Sequence, residues 1–142
     1  MKSLYSVTAV IELGAGLALL GCPSATVALL VGAPLEGAPA LTAARVGGAG
    51  LLALGVACWL ARSDTHSRAA SGLIAAMSLY NVAAVVVLAF AGIGFGLHGV
   101  ALWPAVILHV VDDRLVFRVA AAQALSSKKR NIMIVIDGRL RL

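Results

Sequence analysis

Leu4–Leu20, LYSVTAVIELGAGLALL, is an apolar stretch of 17 residues broken by a single carboxylate, Glu12. Wound as a helix it is about 25 Å long, close to the thickness of a hydrocarbon core. A charge at that depth costs at least about 2.5 kcal/mol, so another part of the chain has to offset it. Lys2, the apolar run and Leu19-Leu20-Gly21-Cys22 also resemble a lipoprotein cleavage site. Glu12 interrupts the apolar region that a signal peptide needs, and a retained helix is expected.

Outward from this stretch the chain repeats the same character. Of 142 residues, 61% are hydrophobic and 12% charged, with a mean hydropathy of +1.02. Soluble domains carry about 25% charged residues, so lipid is the expected solvent. The reading is an all-α membrane protein, a four-helix transmembrane bundle over residues 1–111, with spans at about 4–20, 41–61, 69–91 and 97–111. A cytoplasmic, amphipathic and basic tail, 112–142, follows. Gly21-Cys22-Pro23 ends the first span, and Ser24 is expected to cap a short helix, 25–31. Pro34, Gly37 and Pro39 mark a connector. Ala44 with Gly48, and Gly14 with Ala18, are small-residue pairs that allow helices to approach closely.

The composition changes at Asp112: residues 1–111 hold seven charges and residues 112–142 hold ten. Asp112-Asp113 therefore reads as a solvated helix end, with Ser126–Asn131 as a hinge. Ile132–Ile136 before Asp137-Gly138 reads as a strand and turn, with RLRL returning. Ten basic residues fall on one side of the four-span arrangement and only Arg45 on the other. That imbalance puts both termini in the cytoplasm. The net charge of +5 is thereby a matter of topology. With 5% aromatic residues the chain offers no base-stacking surface, and nucleic acid is not an expected partner.

Inside the apolar segments the informative residues are Glu12, Arg45, Tyr80, Asn81 and His109. Rise per residue brings all five toward one layer between the midplane and the outer leaflet. Two readings follow. In the structural one, Glu12 and Arg45 form an internal ion pair and Asn81 an interhelical hydrogen bond. In the functional one, the cluster is a pocket for a proton, a quinone-like head group or a cationic solute, since intramembrane ionisable residues are functional candidates by default. No catalytic arrangement, cofactor or metal site is expected: no Cys/His pair has zinc-like spacing, and haem lacks a second axial ligand at the depth of His109.

IELGAGLALLGCPSATVALLVG, AARVGGAGLLALGVACWLAR and a last span beginning LWPAVILH together resemble the small four-helix bacterial membrane proteins related to DoxX. The resemblance covers residues 4–111. It implies a bacterial cytoplasmic membrane, places Glu12 and Arg45 at the polar positions of the first two helices, and includes relatives similar to an accessory subunit of a quinol oxidase. The leading expectation is thus a non-catalytic accessory or assembly subunit, in contact with the bilayer and with a larger membrane complex or copies of itself. The alternatives are a proton-coupled transporter using Glu12 and a quinone-associated membrane protein.

Overall fold

The computed structural model describes the backbone of residues 2–64 and 67–140. Side chains are described for 5–64 and 67–122, and beyond that at 124–126, 128, 129, 132 and 133. Every element in this range is helical: α1 Lys2–Gly21, α2 Pro23–Val31, α3 Ala38–Ala61, α4 Arg68–Gly94 and α5 Leu102–Leu140.

The boundaries follow local chemistry. Pro23 cannot supply the N–H that would continue α1, so the chain breaks at Cys22 and α2 leaves at an angle of 117° to α1. Ser24 does not cap α2. Its hydroxyl donates to Leu35 O (3.3 Å) and accepts from Leu35 N (3.1 Å), which ties the following connector back onto α2. α2 ends at Gly32, whose φ of 85° is a left-handed cap that glycine adopts without strain. Ser67 opens α4 by accepting from Ala70 N at 3.0 Å. At the end of α3, Arg62 Nη1 donates to Trp59 O (2.7 Å), and its guanidinium lies 4.0 Å over the Trp59 ring. A cation suits the negative end of a helix.

The helices form two antiparallel pairs. α1 packs along α3, and α4 packs along α5. In the first pair a Cβ on Gly16 would lie 2.7 Å from Gly48 O, and one on Gly48 would lie 2.9 Å from Gly16 O. Backbone touches backbone there. The small residues that allow it are Gly16 and Gly48; Gly14 and Ala18, expected for this role, face outward and are exposed. The two pairs meet through a small core of Tyr5, Ala9, Cys58, Ile74, Met77 and Val116.

Burial is inverted relative to a protein in water. Thr8, Glu12 and Asn81 are 2%, 3% and 0% exposed, while Val7, Leu17, Leu60, Leu79, Val86, Phe90 and Ile93 face out. Helices apolar on their outer faces belong in lipid or in a larger core. α3 and α4 are long and apolar enough to cross a membrane, and α1 with α2 makes a third candidate if the bent pair is one span.

α5 departs from the expected fourth span. It starts at Leu102 rather than Leu97, and its apolar part ends at Val111, about 15 Å further on. The helix then continues through Asp112-Asp113 to Leu140. The expected hinge at 126–131 and the strand at 132–136 are both helical; Arg141 and Leu142 of the returning segment lie outside the described residues. The reason is an absence of breakers. From Ala105 to Asp137 the sequence has no glycine or proline, and Ala120-Ala121-Ala122 and Ala124 favour helix strongly. Pro104 sits in the first turn of α5, where its missing N–H is not needed, so the helix runs through it.

Candidate functional site

Three layers stack between the helix pairs. The Tyr5–Met77–Val116 core lies at the end where α1 begins. Above it Asp112 and Asp113 of α5 turn inward. Thr8 Oγ1 donates to Asp112 Oδ1 and Oδ2 (3.1 and 3.3 Å), Asn81 Nδ2 donates to Asp112 Oδ2 (3.4 Å), and the Ser78 hydroxyl donates to Asp113. Asn81 Oδ1 is 2.8 Å from His109 Nδ1, and the His109 ring meets Tyr80 edge to face at 5.4 Å between centroids. One residue from each of three helices, Thr8, Asn81 and Asp112, is thereby joined at a single level. The acid pair is part of the bundle's polar interior and not the solvated helix end that composition implied.

Above the polar layer is a cavity of about 430 Å³. Its walls are Ile11, Ala15 and Leu19 of α1, Leu51 of α3, Ala84, Val87 and Leu88 of α4, and Ala105 and Leu108 of α5. Thr26, Leu29 and Leu30 of α2 close the far end together with Ala101. The bend at Cys22 is what brings α2 across. Ala101 N donates to Leu29 O at 2.9 Å, and Gly99 lies so close to the Leu29 and Leu30 carbonyls that no side chain fits there.

Three groups give this apolar space its chemistry: Glu12, Tyr80 and His109. The Glu12 carboxyl has no hydrogen-bond partner among the described residues, yet the only enclosed and unpartnered polar side-chain atom is the Tyr5 hydroxyl. The Glu12 oxygens therefore keep access to the cavity. An apolar space of this size with a few converging polar groups has the character of a small-molecule site.

Four of the five residues singled out in the sequence meet here: Glu12, Tyr80, Asn81 and His109. Arg45 does not. It is exposed, its Nε donates to Leu20 O at 3.4 Å, and the expected Glu12–Arg45 ion pair is absent among the described residues. The Gly16–Gly48 contact fixes the α1–α3 register and sets Arg45 level with Leu20. Glu12 is eight residues away, about 12 Å along the axis, beyond the reach of the arginine. Sequence reasoning passed over Thr8, Ser78 and the inward role of Asp112 and Asp113. The available signal was the polar complement on the facing helices, Thr8 with Ser78 and Asn81.

Among the described residues no group of three or more His, Cys, Asp and Glu could hold a metal ion. Cys22 and Cys58 are both free thiols, the first exposed at the bend and the second buried with its Sγ 3.5 Å from Met77 Sδ. Comparison of the chain with protein-family models, curated proteins and solved structures gives no match.

Proposed function

We propose that this is a membrane-embedded binding protein whose cavity holds a lipid-soluble molecule with a polar head group. The observation that carries the reading is the cavity itself: aliphatic walls between two helix pairs, with Glu12, Tyr80 and His109 converging at one end. In this reading α1, α3, α4 and α5 all cross the bilayer. Hydrogen bonds from Thr8, Asn81 and Ser78 satisfy Asp112 and Asp113 inside the bundle and let α5 enter it. Both termini lie on the cytoplasmic side of a bacterial membrane. A quinone-type ring, as the quinone or its hydroxyl-bearing reduced form, is the ligand that the DoxX-like resemblance of residues 4–111 points to. The test is solvent extraction of the protein purified in mild detergent, with mass analysis of what is released. One lipophile retained in stoichiometric amount, and lost from an Ala84→Phe variant that fills the cavity, is expected. Equal retention by the filled variant overturns the reading.

A second reading, an accessory subunit, is favoured by the outer faces. Gly14, Ala18 and Gly21 on α1, and Ala43, Gly47 and Gly50 on α3, are exposed, and the glycines open onto free space. Such faces suit close packing against another membrane helix. Larger subunits that co-purify with the protein and are released by Gly47→Ile support it; a lone chain in both preparations does not.

A further inference from the structure

The polar layer beneath the cavity has a direction. As a carboxylate Asp112 only accepts hydrogen bonds, so its neighbours have to donate to it. Thr8 supplies one, and Asn81 turns its amide NH2 toward Asp112. The opposite orientation would set the amide oxygen against the carboxylate. Asn81 Oδ1 is then left facing His109 Nδ1 at 2.8 Å, and an amide oxygen only accepts. The His109 proton therefore sits on Nδ1. In a neutral imidazole the other nitrogen, Nε2, carries a lone pair. That nitrogen has no protein partner among the described residues and is not among the enclosed atoms, and the ring belongs to the cavity wall. Glu12, when ionised, is a second group in the same wall that only accepts.

Resting on the binding reading above, we infer that Asp112 and Asn81 set His109 as an acceptor in the cavity, so that the head group taken there is a hydrogen-bond donor, a hydroxyl on an otherwise lipid-soluble molecule. A carbonyl head group can accept only from the Tyr80 hydroxyl and leaves the His109 Nε2 lone pair facing another acceptor, which costs binding. A hydroxyl donates to Nε2 or Glu12 and can accept from the Tyr80 hydroxyl. Asn81 and Asp112 are positioning residues in this arrangement, and His109 is the group that touches the ligand.

The experiment has two readouts on the full chain in detergent micelles. Nitrogen-15 NMR of histidine-labelled protein, with His109 assigned through a His109→Gln variant, is expected to show Nδ1 protonated and Nε2 bare. Asn81→Leu is expected to remove that preference. Binding of 4-hexylphenol and of its methyl ether, 4-hexylanisole, is then compared by calorimetry. The two differ by the donor alone, and the phenol is expected to bind about tenfold more tightly, as one net hydrogen bond implies. The ratio is expected to fall in His109→Phe, which keeps a ring in the wall should Asn81→Leu fail to fold, and to reach about one when Glu12→Met is added to it. A proton on Nε2, a doubly protonated ring, or equal binding of the two probes overturns the inference and leaves the cavity reading standing. If neither probe binds, the cavity reading falls and the inference with it.

Discussion

The two helix pairs are held by different chemistry. α1 and α3 meet at Gly16 and Gly48, where main chain lies against main chain; among the described residues the only side-chain hydrogen bond across this seam runs from Arg45 to Leu20 O at its end. α4 and α5 meet through Asn81, Ser78, His109 and the two aspartates. Where α4 does carry a close glycine, Gly92, its nearest neighbour is the Leu102 side-chain tip, which can move. In lipid, where the hydrophobic effect does not drive helices together, these are the two available ways to associate: dense packing of small residues and hydrogen bonds between polar ones. The difference also divides the labour. A backbone-to-backbone seam fixes register but leaves no side chain to act, whereas a polar seam aims side chains, and it is the polar seam that delivers Tyr80 and His109 to the cavity.

The sharpest way to break this comparison is to load the glycine seam with bulk. Gly16→Leu has to displace Gly48 O and Leu52 N, which lie 2.7 and 2.8 Å from the new Cβ. A loss of about 3 kcal/mol or more is expected, because overpacking against main chain cannot relax. Gly14→Leu, two residues away on the outward face with nothing within 4 Å, is expected to stay within about 0.5 kcal/mol of the parent. Detergent unfolding followed by labelling of the buried Cys58 thiol, in a Cys22→Ser background, measures both. Similar values for the two variants would mean that the Gly16–Gly48 contact does not hold the pair.

In the polar seam the expected loss is smaller and uneven. Asp112→Ala strands two buried donors, Thr8 and Asn81, at a cost of about 1–3 kcal/mol. Asp113→Ala removes the partner of Ser78 alone, in a half-buried position, and is expected to cost about 0.6 kcal/mol, near the average for interhelical hydrogen bonds in membranes. If the order is reversed, Asp113 rather than Asp112 is the centre of the layer.

The same contrast governs what could be read from the sequence. Polar residues inside apolar stretches are costly enough to be noticed one at a time, and Glu12, Tyr80, Asn81 and His109 were legible for that reason. Their partners were not equally visible. Arg45 shares their character but not their level, because the α1–α3 register depends on a Gly16–Gly48 contact that has no distinct signature in a glycine-rich segment. Asp112 and Asp113 follow the apolar run 97–111, about 22 Å of helix, and so read as its aqueous end; only their contacts with Thr8, Asn81 and Ser78 reveal them as interior. Pro23 announced a break after α1, yet the direction of α2 is set by Ala101 and Gly99 some seventy residues on. The tail misled for a local reason: β-branched residues at 132–136 favour a strand, but a helix already running from Leu102 meets no breaker before Gly138.

Glu12 separates binding from folding. It is buried, has no hydrogen-bond partner among the described residues and is part of the cavity wall, so it adds no described hydrogen bond to either seam. Replacing a buried unpaired polar group by an apolar one of similar shape is neutral or stabilising. Glu12→Met is accordingly expected to unfold no earlier than the parent, with a gain of up to about 1 kcal/mol, while retention of the lipophile falls. A stability loss larger than about 1 kcal/mol would place Glu12 among the residues that hold the helices together, and would erase its distinction from Asp112.

Tyr5 isolates the cost of a polar atom left alone. Its ring packs in the core with Ala9, Cys58, Met77 and Val116, while its hydroxyl is enclosed without a partner among the described residues. The ring and the hydroxyl therefore act in opposite senses on stability. Tyr5→Phe keeps the ring and deletes the hydroxyl, so stability is expected to be unchanged or to rise by about 1 kcal/mol, read by the same Cys58 labelling. Thr8, one turn along the same face, provides the control: its hydroxyl is equally buried but bonded to Asp112, so Thr8→Val is expected to lose about 1 kcal/mol where Tyr5→Phe loses none. Opposite signs for two hydroxyls one helical turn apart would show that pairing with α5, rather than burial, is what makes the polar layer stabilising.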